Sequence, residues 1–121
     1  MDVFGIALSG MQAATAQLDT AANNIANLDT PGYQAQRVDL VSLSTGGVAV
    51  GGTETNTTPG PVQPDGKEGS NVNLADEMLN MTRAKLLYSA NAAVIKVGQK
   101  MTGALLDMFD NNRRDHDSDG N

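Results

Sequence analysis

The chain has 121 residues with no cysteine or tryptophan and only 3% aromatic residues, which excludes disulfides and thiolate metal sites and leaves thin material for a self-sufficient core. A formal net charge of −6, with eight scattered basic residues apart from Arg113-Arg114, speaks against a phosphate-binding surface and so against nucleic acid as a partner. No apolar run approaches the roughly 20 residues of a membrane span, and "MDVFGIALSG" lacks the basic start of a secretory signal, so any exit from the cytoplasm is expected by an uncleaved route.

The first zone covers 1–33. From Phe4 to about Asn27 the apolar residues Phe4, Leu8, Met11, Thr15, Leu18, Ala22 and Ile25 recur in steps of four and three, which predicts a helix with a heptad seam. Alanine fills the remaining positions and favours helix. Pro31 and Gly32 then stop it. The last turns carry Asn23, Asn24 and Asn27, although an asparagine amide competes for backbone hydrogen bonds and is a modest helix former. Two readings are open: amides offered to a neighbouring molecule, or C-capping followed by a turn.

The second zone, 34–69, changes character. "RVDLVSL" is β-prone, and "GGVAVGG" reads as a short strand between paired glycines. "TETNTTPGPVQPDGKEG" is a Pro/Gly/Thr loop with a turn at Pro64-Asp65-Gly66. A small hairpin or extended excursion is expected, without a core of its own.

The third zone, 70–109, opens with Asn73 as candidate N-cap, followed by Asp76 and Glu77 to suit the helix dipole. A helix is predicted from Leu74 to about Phe109, with Gly98 and Gly103 as tolerated costs. Two heptad lines run through it, one through Met81, Tyr88, Ile95, Thr102 and Phe109, the other through Ala84, Leu87, Asn91, Val94, Gly98, Met101, Leu105 and Met108. Together they form an apolar stripe wider than one partner helix can cover. The tail, 110–121, is polar and aspartate-rich and reads as disordered.

The fold class expected is therefore mainly α: two long terminal helices pairing as an antiparallel, coiled-coil-like hairpin around a small irregular or β insertion. A single such hairpin leaves much of each seam uncovered, which points to completion by other copies or relatives. The alternative is a monomeric hairpin with the middle zone folded over it.

Other motifs carry little. "DHDSDGN", Asp115 to Asn121, copies half a calcium loop but lacks the bidentate glutamate. His116 is the single histidine and has no second base or nucleophile in a catalytic spacing, so no enzyme, cofactor, metal or small-molecule substrate is expected. The glycines of "GGVAVGG" are not followed by Gly-Lys-Ser/Thr, so this is no phosphate loop. Met78, Met81, Met101 and Met108 read as adaptable packing.

Two stretches are more specific. "LDTAANNIANLDTPGYQAQRVDL", Leu18 to Leu40, and "EGSNVNLADEMLNMTRAKLLYSANAAVIKVGQKMTGALLDM", Glu68 to Met108, resemble the two terminal signatures of the flagellar basal-body rod and axial (rod-hook) protein family. The first carries A-N-N-I-A-N and T-P-G-Y; the second carries S-N-V-x-L, E-M-x-N-M and Y-x-A-N. The small insertion is similar to that of short proximal-rod members of the FlgC type.

The resemblance implies a structural subunit of the periplasmic rod. Such a subunit is exported by the flagellar type III apparatus without a cleaved signal, and assembles with itself and other rod proteins through its terminal helices. It also implies an assembly motif of Asn23, Asn24, Ile25, Asn27, Thr30, Pro31, Gly32 and Tyr33. The packing seam would run through Leu8, Met11, Leu18, Met81, Leu87, Tyr88, Asn91, Val94, Ile95, Met101 and Leu105. The rival from another class is a helical-hairpin adaptor that binds rod or export partners without entering the tube.

Overall fold

The computed structural model describes residues 2–118 and 120. Four elements follow one another: α1 (Val3–Ala26), β1 (Gln36–Ser42), β2 (Val48–Thr55) and α2 (Leu74–Ser118). Asp2 starts α1, its carboxylate accepting from Gly5 N at 2.7 Å. Asn73 starts α2 as expected, with Oδ1 accepting from Asp76 N at 3.2 Å and Asp76 and Glu77 in the first turn.

The helices run antiparallel and meet through small residues. Near one end the Phe4 ring lies over Gly98, where a Cβ would come within 3.0 Å of it; further along, a Cβ on Gly10 would sit 2.5 Å from Asn91 Nδ2. Between and beyond these contacts the buried apolar residues of the two helices are alanines: Ala7, Ala13, Ala14 and Ala21 on α1, and Ala84 on α2. Ala7, Ala14 and Ala21 recur every seven residues, so a heptad line exists, but it is one of alanine.

This revises the predicted seam. Leu8, Leu18, Leu87, Tyr88, Val94, Met101 and Leu105 are exposed, while Met11, Met81, Asn91 and Ile95 are half-buried. The physical reason is distance. Alanine and glycine let the two backbones approach closely, and the larger side chains are displaced to the flanks.

The insertion is an antiparallel hairpin of β1 and β2. It packs on α1 and not on α2. Val38 is buried there, and Ser9 Oγ joins the layers by donating to Ile6 O at 2.6 Å and accepting from Val48 N at 3.1 Å. The turn uses Gly46 and Gly47, both at positive φ. The second glycine pair does not end the strand as the sequence suggested. The register slips beside Asp39/Leu40, and β2 continues to Thr55, because Gly51 can serve as the extra residue of a bulge. The expected turn at Pro64-Asp65-Gly66 is present, closed by Gly66 N donating to Gln63 O at 2.9 Å.

The second helix also departs from expectation. It does not stop near Phe109 and give way to a disordered tail; it runs on to Ser118, 45 residues in all or about 68 Å. No proline or glycine interrupts the chain between Ala104 and Ser118, and Arg114 pairs with Asp110 one turn earlier at 2.9 Å. Asp119 and Asn121 of the predicted tail lie outside the described residues.

Candidate functional site

The last turns of α1 form a clasp with the chain that follows. Asn27 caps the helix, its N–H reaching Asn23 O and Asn24 O. Pro31 then leads into Gly32 at φ 71°, and Tyr33 N donates to Thr30 O at 3.2 Å. Proline second and positive-φ glycine third is the pattern of a type II turn. That turn reverses the chain and lays Tyr33 to Gln36 back along the end of α1.

Asn24 is the centre of this arrangement. It is 0% exposed. Its Nδ2 donates to Gln36 O at 2.8 Å, while Oδ1 accepts from Gln36 N at 3.0 Å and from the Tyr33 hydroxyl at 3.0 Å. The amide thus imitates the edge of a neighbouring strand. Asn23 Nδ2 donates to the same hydroxyl at 3.1 Å, and Thr30 Oγ1 donates to Asn27 Oδ1 at 3.1 Å. Ile25 is half-buried, whereas Thr30, Pro31 and Gly32 lie at the surface. The Tyr33 phenol is held above its ordinary pKa, first by burial and then by the nearby Glu77 carboxylate.

Neither of the two readings left open for the asparagines describes Asn24: Asn27 is the C-cap, and Asn24 bonds the backbone of Gln36 instead. Buried and bonded within its own chain at both Nδ2 and Oδ1, its amide is not offered to a neighbour. One side chain thereby satisfies both the N–H and the C=O of Gln36.

The clasp has a second half that sequence reasoning did not single out by residue. Asn71 Oδ1 accepts from Ala35 N at 2.6 Å, and its Nδ2 donates to Asn56 O and Thr58 O, both at 2.8 Å. Asn71 N donates to Tyr33 O at 3.1 Å, and Gly32 N donates to Glu68 O at 3.0 Å. One asparagine from each half of the chain therefore ties the turn in place. The sequence held only the S-N-V-x-L run itself; the burial of Ser70 and Val72 on either side of Asn71 is visible only in the fold.

A second feature is the apolar surface left over. Leu18, Met78, Met81 and Tyr88 flank an open groove of about 430 Å³ between the helices, with Lys85 at its edge. Beyond Gly98, α2 outruns α1, and Met101, Leu105, Leu106, Met108 and Phe109 are all more than half exposed. Among the described residues no element covers them. Patches of this kind on a folded chain mark interaction surfaces.

Two family models match the chain, and they meet at the clasp. Residues 4–34, which are α1 and its turn, match the flagella basal body rod protein model. Residues 67–108, the second half of the clasp and most of α2, match the model for the C-terminal part of the flagellar basal body rod FlgEFG protein. Together they span more than half of the sequence. The chain belongs to the flagellar basal-body rod protein family. No curated protein matches it.

Family membership makes it a structural rod component of the flagellar basal body, from a family of structural proteins and not of enzymes. In a rod-family chain the clasp has a clear structural use. It sets where α1 ends and α2 begins, and so fixes the two helices in one antiparallel register. The hydrogen bonds that do this, Gly32 to Glu68, Asn71 to Tyr33 and Ala35 to Asn71, join the two halves of the chain without a large core.

Proposed function

We propose that this chain is a subunit of the flagellar rod that assembles through its terminal helices into a helical tube, beside itself and other rod proteins. The carrying observation is the contrast between what is buried and what is not. The interior of the helix pair is alanine and glycine, while Leu86, Val97, Met101, Leu105, Leu106, Met108 and Phe109 are exposed on α2 and Val3, Ile6 and Leu8 on α1. Alanine burial supports little stability, and the large side chains that would support more are turned outward. Copies or relatives packing against both helices would bury them.

The assembly motif then acts indirectly. Asn24, Tyr33 and Asn71 shape the subunit, while Asn23, Asn27 and the exposed turn at Thr30 to Gly32 are the part of the motif a neighbour can touch. The single hairpin between the helices suits the short proximal type of rod protein. Passage through the flagellar type III apparatus without a cleaved signal, to a periplasmic position in the rod, completes this reading.

The experiment is biochemical. Basal bodies isolated from a cell that carries this chain in tagged form are washed at high salt and analysed by mass spectrometry. A rod subunit stays with the washed particle, and its deletion abolishes motility. A chain that washes off completely is an adaptor, and the proposal fails.

A further inference from the structure

Charge is sorted along α2. Between Met78 and Leu106 the helix carries Arg83, Lys85, Lys96 and Lys100 and no acidic residue; from Asp107 onward it carries Asp107, Asp110, Asp115 and Asp117 against Arg113 and Arg114. None of the four central cations takes part in an ion pair among the described residues. The helix α1 that lies beside them contains only Asp2 and Asp19 as charged residues near or within it. The cationic middle is therefore short of partners, and the acidic end lies where α2 has no neighbour.

We infer that the projecting end of α2 in one copy seats in the interhelical groove of a second copy, so that chains stack head to tail along the helix axis. This inference rests on the proposed self-assembly and specifies its contact. Length agrees: Met78 to Tyr88 spans about 15 Å of groove, and Met101 to Phe109 about 12 Å of projecting apolar helix. Sign agrees as well. Asp110 lies beside Leu106 and Phe109, and Lys85 lies at the edge of the groove next to Met81 and Tyr88.

An axial offset of about 35 Å between parallel copies brings these two stretches side by side. Asp110 then faces Lys85 while Phe109 and Leu105 enter the groove. The existing Asp110–Arg114 pair is solvent-exposed, with side chains 56% and 75% accessible, so exchanging or sharing it costs little. Symmetric pairings are disfavoured by the same charges. End against end would bring together two ends that are each net acidic, with Asp107, Asp110, Asp115 and Asp117 against Arg113 and Arg114, and groove against groove would set Lys85 against Lys85. A contact between two different surfaces of the same chain does not close on itself and propagates into a filament.

The absence of native cysteine makes the test clean. Full-length Phe109→Cys and Met81→Cys chains are purified, mixed at high concentration and oxidised. The expected result is that the mixed disulfide dominates over either self-linked product. Lys85→Glu and Asp110→Lys are each expected to weaken association about two- to fivefold, and the double reversal to restore it. Association in which the Phe109→Cys self-linked dimer dominates, or in which the double reversal fails to restore binding, overturns the head-to-tail contact and leaves self-assembly standing. Absence of any concentration-dependent association by sedimentation overturns both.

Discussion

The side chain of Asn24 and the backbone of Gln36 form a two-way hydrogen-bonded pair, with Nδ2 donating to O at 2.8 Å and N donating to Oδ1 at 3.0 Å. A helix residue thereby holds the chain that has just left the helix. The amide is fully buried, so in the intact fold Gln36 N and O meet this side chain and not bulk water. Asn24→Ala is expected to cost about 1–3 kcal/mol for the polar groups it strands. Asn24→Asp is expected to cost at least as much, since it exchanges the donor for a buried carboxylate facing Gln36 O. Denaturant unfolding followed by circular dichroism measures both.

Tyr33 gives the clasp a pH limit. Its hydroxyl donates to Asn24 Oδ1, which only the protonated phenol can do. The folded pKa is raised, so above pH 10 the unfolded chain loses this proton more readily than the folded one. Stability from this group is full below the unfolded pKa and is lost as pH rises through the folded value. Tyr33→Phe is expected to lower stability at neutral pH by about 0.5–1.5 kcal/mol and to flatten the alkaline decline. Tyrosinate absorbance titrations of wild type and Tyr88→Phe would report the raised phenol separately.

Gly60 stands beside the backbone of Gly69, whose carbonyl oxygen a Cβ on Gly60 would strike. Backbone cannot swing aside as a side chain can. Gly60→Ala is expected to destabilise the clasp by about 1–3 kcal/mol. Gly52→Ala, which meets nothing within 4 Å, is the control and is expected to be neutral or mildly stabilising. Thermal melts of the two variants separate crowding from a general effect of losing glycine.

Leu105 and Phe109 are 53% and 65% exposed, so their loss should leave the folded chain intact. Leu105→Ser and Phe109→Ser are each expected to move the unfolding free energy by less than about 0.5 kcal/mol. Association should fall much more, because a side chain buried on binding contributes on the order of 1.5–3 kcal/mol. Sedimentation velocity over a concentration series reads the difference.

The architecture was legible in sequence where strong local signals agreed. Heptad spacing, alanine content and the Pro31-Gly32 stop bounded α1, and Asn73 with its acidic first turn marked the start of α2. The interior was not legible, because hydrophobic periodicity weights Leu8, Leu18 and Tyr88 above Ala7, Ala14 and Ala21. Close packing reverses that order when alanine and glycine let the helices meet. The far end of α2 was missed because aspartate density reads as solvation, whereas without a breaker an exposed helix needs only local pairs such as Asp110–Arg114 to continue. The asparagine run stands out in sequence by its place at the end of a helix. Its use lay in a backbone pairing twelve residues away in the same chain, which no spacing rule encodes.

Hydrogen exchange followed by mass spectrometry, on the full chain at low micromolar and at near-millimolar concentration, addresses the dependence of these helices on other copies. Amides of α2 beyond Gly98 are expected to exchange freely in the dilute sample and to become protected as the chain associates, while the clasp around Asn24 and Asn71 stays protected throughout. Equal, strong protection along the whole of α2 at both concentrations would contradict it, since the helix would then be stable with its apolar side chains still in water.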